Sequence, residues 1–457
     1  MTKQQTIDMT VGSPIRLITG FAMPIFLSQL FQQLYNTADS LIVGRYLGTE
    51  ALAAVSSSGT LILLLVSFFN GAAMGAGVVI SRYFGAGDYD KVSRTIHTNI
   101  VFGLISGTLL TIVGVWFTPT FLLWMKTDPT VLPDAIEYFR YYFAGVLSLV
   151  MYNILKSIMN AVGDSRRPLC YLIVSSMTNV VLDWLFVAVF HWGVWSAAVA
   201  TVISQLASCV LCLIHLMKPG SVCSVELSKL KIDREILGEI LRQGMPTGIQ
   251  NSVIGLANVV VQSQINSFSA AATAAYGTHA KVEGFGFLPI TSFTMAITTF
   301  VSQNLGAKEF ERAKRGAKFG ILSAVILAEV IGIATYFLSP YLIGLFDSNP
   351  EVIALGVQQA HTMSLFYFLV AFSHSIAAVC RGAGKSFVPM FIMLSVWCVL
   401  RIVYIDLVMH FCGDLQHIYW AYPITWSISS VIYLYYYLRC DWVHGFDAGK
   451  AAALVEE

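Results

Sequence analysis

Two aspartates stand in strongly apolar surroundings, and their side chains are the most informative chemistry in this sequence. Asp39 lies within LYNTADSLIVGRYLG, and Asp183 ends the stretch NVVLD. A carboxylate in an apolar environment is costly unless a cation, a hydrogen-bond donor or a cavity accommodates it. The two positions therefore predict either a cation site or a buried ion pair.

Polar side chains recur near both aspartates at spacings that place them on shared helix faces. Asn179 precedes Asp183 by four residues, and Asn153 precedes Lys156 by three. Carboxylate, amide and hydroxyl oxygens form a hard-oxygen set that suits Na⁺ and equally suits a bound proton. The alternative is a structural aspartate–lysine pair made through Lys156. We expect a cation site formed by Asp39, Asp183, Asn179, Asn153 and Thr201.

The composition identifies the apolar surroundings as membrane-spanning segments. Of 457 residues, 56% are hydrophobic and only 12% are charged, whereas soluble domains carry about 25% charged residues. A spanning helix needs about 20 apolar residues. Five long stretches lack any Asp, Glu, Lys or Arg: 51–81, 95–125, 184–217, 243–280 and 352–380. The sequence thus predicts an all-α integral membrane protein, and its net charge of +1 argues against a nucleic-acid partner.

Charge clusters and Gly/Pro punctuation divide the chain into twelve predicted spans. An even number places both termini on one side of the membrane. That side carries twenty-one Lys and Arg residues in its loops and termini, whereas the opposite loops carry only Arg45 and Lys126. The positive-inside rule makes the richer side cytoplasmic, so we expect a multi-pass protein of the plasma (inner) membrane with both termini in the cytoplasm. The spans are 16–44, 52–81, 95–119, 132–161, 168–190, 194–217, 236–268, 272–304, 312–338, 352–380, 388–411 and 417–438.

The chain repeats itself at an offset of 221 residues. SRYFGAGDYDKVSR (81–94) recurs as SQNLGAKEFERAKR (302–315), and GDSRRP (163–168) recurs as GKSFVP (384–389). The repeat predicts two parallel six-helix bundles related by a pseudo-two-fold axis along the membrane normal, an arrangement typical of transporters. The expected domains are an N-terminal lobe (1–217), a cytoplasmic connector (218–235), a C-terminal lobe (236–438) and a cytoplasmic tail (439–457).

The repeat also separates fold from function at the two aspartates. Asp39 maps to Val260 or Val261, and Asp183 maps to Tyr404. Because the second half has no counterpart to the acidic pair, the fold does not require the pair. A cation site confined to the first half is the simpler explanation.

Other polar residues and prolines within the spans form a second set of candidates. Pro24 and its repeat partner Pro246 lie inside predicted helices, where proline removes a hydrogen bond and bends the helix, so we expect hinges there. GAAMGAG (71–77) has no preceding strand and no following lysine, so it predicts small-residue helix packing rather than a nucleotide loop. Residues that either line a coupling or substrate pathway or pair structurally are Lys156, Gln250, Gln264, Lys281, Glu283, Glu329 and Arg401.

Taken together, these residues resemble the multidrug and toxic compound extrusion (MATE) transporters. The resemblance rests on twelve spans in two halves, YNTADSLIVGRYLG in the first span, the GAG and GAK loops, NAVGDSRRP and NVVLD. It implies secondary active export of amphipathic, often cationic compounds in exchange for H⁺ or Na⁺, by alternating access. It further implies that the five residues of the expected cation site couple ion entry to export. The absence of a carboxylate from 352–380 favours the DinF-like branch.

Several further expectations and alternatives accompany this resemblance. We expect a monomer that is not an enzyme and has no cofactor or metal centre other than H⁺ or Na⁺ at Asp39 and Asp183. The main alternative is a lipid-linked oligosaccharide flippase of the same superfamily, although such proteins typically add two helices and a strongly basic cavity. A membrane-embedded enzyme and a non-transporting receptor are less favoured, since the sequence offers no clustered nucleophile or metal-ligand set.

Overall fold

The computed structural model describes residues 8–124, 127–218 and 220–444, with side chains for all of these except 49–50, 52–53 and 56–66. Parts of the predicted N-terminal lobe and most of the predicted tail (439–457) therefore lie outside the described residues. The described chain is α-helical and its helices are joined by short loops. The α-helices are α1 (Pro14–Tyr46), α2 (Thr49–Gly85), α3 (Tyr89–Trp124), α4 (Leu132–Ala144), α5 (Val146–Ala161), α6 (Arg166–Asp183), α7 (Trp195–Leu216), α8 (Arg234–Asn266), α9 (Ala270–Gly286), α10 (Leu288–Gly306), α11 (Phe310–Gly344), α12 (Pro350–Met363), α13 (Tyr367–Gly382), α14 (Phe387–Met393), α15 (Arg401–Phe411) and α16 (Leu415–Arg439).

Several helices are segments of one interrupted membrane span. α4 and α5 meet at a bend of 46°, and α9 and α10 meet at a bend of 44°. A 3₁₀ turn (Ser364–Phe366) joins α12 to α13. π-helical segments extend α6 (Trp184–Val189) and join α14 to α15 (Leu394–Leu400). With each interrupted pair counted as one rod, the described chain forms the twelve predicted spans, which confirms the all-α membrane fold.

Length and hydropathy agree with a membrane location. Seven helical segments in the described residues are long and apolar enough to cross a bilayer, and the two bent pairs raise that number to nine. Many large apolar side chains on these rods are exposed, such as Trp116, Phe337 and Phe411. Exposed apolar surface of this extent is unfavourable in water and is expected where lipid covers it.

The sequence repeat has a counterpart in the backbone of its loops. Gly87 and Lys308 occupy equivalent positions and both have positive φ, at 70° and 61°. Gly163 and Gly384, also equivalent, have φ of 87° and 76°. A non-glycine residue rarely adopts this left-handed conformation, so Lys308 retains the turn geometry of its glycine counterpart.

The described fold divides into two compact units, and neither is contiguous in sequence. Among the described residues, the first unit contains Asp8 and 27–248, and the second contains 9–26 and 249–444. α1 and α8 therefore each contribute to both units. In the second unit, Ile18, Phe21 and Ile25 of α1 are buried with Ala296 and Phe300 of α10.

Glycines bring α2 and α8 together within the first unit. A Cβ atom added at Gly75 would overlap the backbone of Gly244, and one added at Gly71 would overlap the backbone of Gly248. Such close approach of two helix backbones is possible only where side chains are absent or very small. The prediction that GAAMGAG (71–77) is a helix-packing motif is confirmed.

Candidate cation site in the first unit

Asp39 on α1 and Asp183 at the end of α6 face each other inside the first unit. Asp183 is 0% exposed, and the two carboxyl groups lie within hydrogen-bonding reach of one another. Asp39 Oδ1 and both Asp183 oxygens have no hydrogen-bond partner among the described residues. Two carboxylates can share a hydrogen bond only if one of them carries a proton. The arrangement therefore requires a proton or another cation between them.

The backbone changes its helical pitch at Asp183. α6 ends at this residue, and the π-helical segment Trp184–Val189 follows it directly. A π-helical turn inserts a residue relative to the α-helical ladder, and such segments often occur at functional sites. Asp183 therefore lies at a break in the regular helix.

Asn179 and Thr201, two further residues of the predicted cation site, contact each other. The Asn179 amide nitrogen lies 3.4 Å from Thr201 Oγ1 on α7 and donates a weak hydrogen bond to it. Asn179 is 1% exposed, and its Oδ1 has no partner among the described residues. Because Asn179 lies one helical turn before Asp183, this free oxygen is a neutral ligand available on the same face of α6.

Asn153 and Lys156 on α5 have their own contacts. The Asn153 amide donates to the Leu149 carbonyl at 3.0 Å, within its own helix. Lys156 Nζ lies 5.9 Å from the centre of the Tyr152 ring. Lys156 forms no ion pair with either aspartate in the described part of the chain. The structure therefore does not contain the aspartate–lysine pair that the sequence left open as the alternative to a cation site.

Three residues beside the aspartates were missed by the sequence analysis. Gln205 on α7 donates a hydrogen bond from Nε2 to the Tyr35 hydroxyl at 3.2 Å. Tyr35 and Tyr138 both interact electrostatically with Asp39 and Asp183. Helical spacing could have indicated Tyr35 and Gln205. Tyr35 precedes Asp39 by four residues and Gln205 follows Thr201 by four, so each shares a helix face with a candidate residue.

The candidates of the second unit have diverse surroundings. Gln250 is 2% exposed, and its Nε2 donates to Met393 Sδ at 2.7 Å. Lys281 is exposed, with Nζ 5.6 Å from the centre of the Phe346 ring. Gln264 is partly buried and forms no side-chain hydrogen bond among the described residues. Neither glutamine is brought to a cluster of acids.

Glu329, Glu283 and Arg401 have more specific environments. Glu329 on α11 lies close to the backbone amide of Phe368, the second residue of α13. A carboxylate beside the N-terminus of a helix complements the helix dipole. Glu283 and Arg401 interact electrostatically inside the second unit.

The two prolines lie within continuous helices. α1 runs through Pro24 and α8 runs through Pro246 without an interruption of the helix. Proline in a helix interior deletes one hydrogen bond and weakens the local ladder. The assignment of hinges to these two positions stays a prediction.

Comparison with known proteins gives consistent matches over both halves of the chain. The MatE family model matches residues 24–185 and 246–405. The probable multidrug resistance protein YoeA of Bacillus subtilis (strain 168) is 29% identical over 430 residues, which cover 92% of this chain and 93% of that protein. The multidrug export protein MepA of Staphylococcus aureus (strain MRSA252) is 22% identical and covers 92% of each chain.

Solved structures share the fold at low sequence identity. The outward-facing conformation of a multidrug resistance MATE family transporter of the MOP superfamily superposes with a TM-score of 0.90 at 22% identity, covering 97% of this chain and 99% of that one. A MOP superfamily transporter from Pyrococcus furiosus, described as having a binding pocket of reverse polarity, gives a TM-score of 0.91 at 22% identity, with the same coverage.

Proposed function

This chain belongs to the MatE family, and we propose that it is a multidrug efflux transporter that exports amphipathic cationic compounds in exchange for H⁺ or Na⁺ by alternating access. Relatives named as multidrug resistance or export proteins, each covering more than nine-tenths of this chain, support the transport of small molecules. The flippase alternative is not favoured, because these relatives are named for drug resistance and export. The family consists of transporters, which argues against an enzyme.

The observation that carries the coupling proposal is the acidic pair. Asp39 and Asp183 approach each other, yet three of their four carboxyl oxygens have no donor among the described residues. One proton or one Na⁺ between them satisfies these oxygens and removes the repulsion between two like charges. We therefore assign the two aspartates as the residues that hold the coupling ion.

Neutral oxygens complete the proposed site. Asn179 Oδ1 has no partner among the described residues, and Thr201 Oγ1 lies 3.4 Å from the Asn179 amide nitrogen. Carboxylate, amide and hydroxyl oxygens are ligands that Na⁺ accepts, and they also hydrogen-bond a protonated carboxyl group. The donor set fits both ions, so the coupling ion is left to experiment.

Coupling requires that the ion favour one transport conformation over another. A ligand shifts a conformational equilibrium only by the difference between its affinities for the two states. In our proposal the ion closes the gap between α1 and α6, because it bridges Asp39 and Asp183. Loss of the ion restores the charge repulsion and favours separation of the two helices. The same proposal places a monomer in the plasma membrane with both termini in the cytoplasm.

The proposal is tested by ion-driven efflux from liposomes. The full chain is reconstituted, and ethidium efflux is followed under an imposed pH gradient or, separately, a Na⁺ gradient. The substitutions Asp39→Asn and Asp183→Asn should each lower gradient-driven efflux at least tenfold, with unchanged melting behaviour. Asp406→Asn, an exposed acid on α15, is the matched control and should transport like the wild type.

The outcome also identifies the ion. If only one gradient drives transport, that gradient names the coupling ion. If Asp39→Asn and Asp183→Asn both transport normally, the acidic pair is structural and the coupling proposal is wrong. If the wild type exports no ethidium under either gradient, the proposed substrate class is wrong.

A further inference from the structure

A buried arginine in the second unit lacks a close counter-ion. Arg401 is 2% exposed and stands at the start of α15, directly after the π-helical segment Leu394–Leu400. Its Nε and Nη2 groups donate to a single neutral acceptor, Thr425 Oγ1 on α16, at 3.3 and 3.0 Å. No carboxylate lies within 4.0 Å of its guanidinium among the described residues. A buried charge without a partner is strongly unfavourable, so its retention calls for an explanation.

Aromatic rings fix the orientation of this guanidinium. Arg401 Cζ lies 4.3 Å from the centre of the Tyr422 ring and 5.5 Å from that of Trp397. Tyr422 is itself held by Tyr276, whose hydroxyl lies 2.8 Å from its own. Stacking engages the faces of a guanidinium and leaves the N–H groups at its edges able to donate. Nε and Nη2 of Arg401 donate to Thr425, whereas Nη1 has no hydrogen bond among the described residues and is available to bind an oxyanion.

Glu283 on α9 supplies only partial charge compensation. It interacts electrostatically with Arg401, but the two side chains do not form an ion pair within 4.0 Å. The pair is therefore separated, and the negative charge of Glu283 does not occupy the N–H edge of the guanidinium. A carboxylate brought in by a ligand would form the direct contact that Glu283 does not make.

The repeat places this arginine in the counterpart of the cation site. At the offset of 221 residues, Tyr422 corresponds to Thr201, and Arg401 corresponds to Val180, which lies between Asn179 and Asp183. The helix that carries the Asp183 carboxylate in the first unit thus corresponds to the helix that carries the Arg401 guanidinium in the second. Because the fold is common to both, the reversed charge is a property of the second unit itself.

We propose that Arg401, supported by Thr425 and the Tyr422 ring, is an anion subsite that binds the carboxylate group of an amphipathic substrate. The proposal rests on the proposed function as an exporter and names the residue of the second unit that recognises a carboxylate in a substrate. Arg401 Nη1 donates to the carboxylate, while Thr425 and the Tyr422 ring hold the guanidinium in place. Glu283 disfavours the bound anion and thereby sets its affinity.

Equilibrium binding tests this subsite without any ion gradient. The purified full chain in nanodiscs is titrated with 1-pyrenebutyrate at pH 8, and energy transfer from tryptophan to pyrene reports binding against an empty-nanodisc blank. 1-Pyrenebutanol, which has the same ring system without the charge, is the matched ligand. We expect Arg401→Gln to weaken pyrenebutyrate binding at least tenfold and to change pyrenebutanol binding less than twofold.

Further variants separate binding from structure. Arg401→Lys keeps the charge but loses the planar N–H edge, so it should bind pyrenebutyrate with intermediate affinity. Glu283→Gln should tighten pyrenebutyrate binding severalfold, whereas a purely structural Arg401–Glu283 contact predicts no gain. Lys318→Met, which removes an exposed cation of the same unit, should have no effect.

Two results would overturn the subsite. One is unchanged pyrenebutyrate affinity in folded Arg401→Gln and Arg401→Lys. The other is an equal loss for both pyrene ligands, which would indicate a general packing defect. Asp39→Asn should bind pyrenebutyrate normally, so failure of the coupling proposal in the first unit remains distinguishable from failure of this subsite.

Discussion

Gln205 on α7 donates a hydrogen bond to the hydroxyl of Tyr35 on α1 at 3.2 Å. Tyr35 lies one helical turn before Asp39 on the same helix. The side chains of Gln205 and Tyr35 are both buried in the first unit. The bond joins the helix that carries Asp39 to the helix that carries Thr201. It therefore fixes the position of the acidic pair relative to one of its neutral ligands.

Removal of the Tyr35 hydroxyl tests this relationship. Tyr35→Phe leaves Gln205 Nε2 buried without an acceptor, which costs about 1–3 kcal/mol. We expect a lower melting temperature and a severalfold loss of ion-driven efflux. The double variant Tyr35→Phe with Gln205→Leu removes both partners and should regain most of the lost stability. Tyr46→Phe, at an exposed position, is the control; a single variant as stable and active as this control would refute the role of the bond.

The substitution Lys156→Met tests whether the positive charge of Lys156 is needed for the function of the acidic pair. Lys156 is not paired with Asp39 or Asp183 in the described structure, and Met preserves the apolar stem of the side chain. Removing an unpaired buried charge is expected to leave stability unchanged or to raise it. The rate of ion-driven efflux should stay within about twofold of the wild-type rate, because a substitution that breaks no specific interaction has a small effect. Loss of ion-driven efflux comparable to that of Asp39→Asn would instead restore the aspartate–lysine pair as the explanation.

The close contact of α2 with α8 is expected to be sensitive to a single methyl group. Gly75→Ala places a Cβ against the backbone of Gly244, where no side chain can move aside. Overpacking of this kind typically costs about 1–3 kcal/mol. Gly238→Ala on α8 is the matched control, because its Cβ meets nothing within 4 Å and alanine favours the helix. Thermal unfolding in detergent compares the two, and equal melting temperatures would contradict the contact.

Glu329 is expected to act on stability rather than on transport. It lies close to the Phe368 amide at the start of α13, and a glutamine oxygen is equally able to accept from that amide. Glu329→Gln should therefore transport normally, whereas Glu329→Leu should lose about 1 kcal/mol of stability, as for a deleted helix cap. Efflux assays and melting curves of both variants provide the comparison. A selective loss of efflux in Glu329→Gln would show that the carboxylate belongs to a transport pathway.

A polar contact outside the spans gives a pH-dependent contribution to stability. Asp233 precedes α8, its side chain pairs with Arg94, and its backbone amide donates to Thr98 Oγ1 at 3.1 Å. The hydrogen bond from Arg94 lowers the pKa of Asp233 from its ordinary value of 3.8. A depressed pKa means that the contact stabilises the fold above that ordinary value and is lost as the pH falls through the folded-state pKa.

Melting curves across pH measure that contribution. The melting temperature of Asp233→Ala should lie below that of the wild type by a constant amount from about pH 8 to pH 5. The difference between the two melting temperatures should become smaller below the ordinary carboxyl pKa. The exposed ion pair between Lys229 and Glu226, at 2.8 Å, is the control contact, because exposed ion pairs contribute little to the free energy of unfolding. A difference that stays constant to the lowest pH would mean that the Asp233 charge is not involved.

Much of this architecture follows from the order of residues along the chain. The spans are readable because long uncharged stretches have to cross a bilayer as helices, and the repeat is readable because equivalent loops keep the same turn residues. Polarity and position along the helices singled out Asp39, Asp183, Asn179, Asn153 and Thr201 as candidates for a cation site. They could not locate Tyr35 or Gln205 as neighbours, since their meeting depends on how α1 and α7 pack.

Tertiary structure decided which polar residues have partners. Helical spacing made Lys156 a plausible counter-ion, but packing of α5 directs it toward Tyr152 instead. Nothing in the order of residues shows that Glu329 reaches the Phe368 amide, or that Arg401 stacks on Tyr422 without a carboxylate. The physical reason is that burial and helical period act along one chain segment, whereas the partner of a buried charge is chosen by side chains that come from other helices.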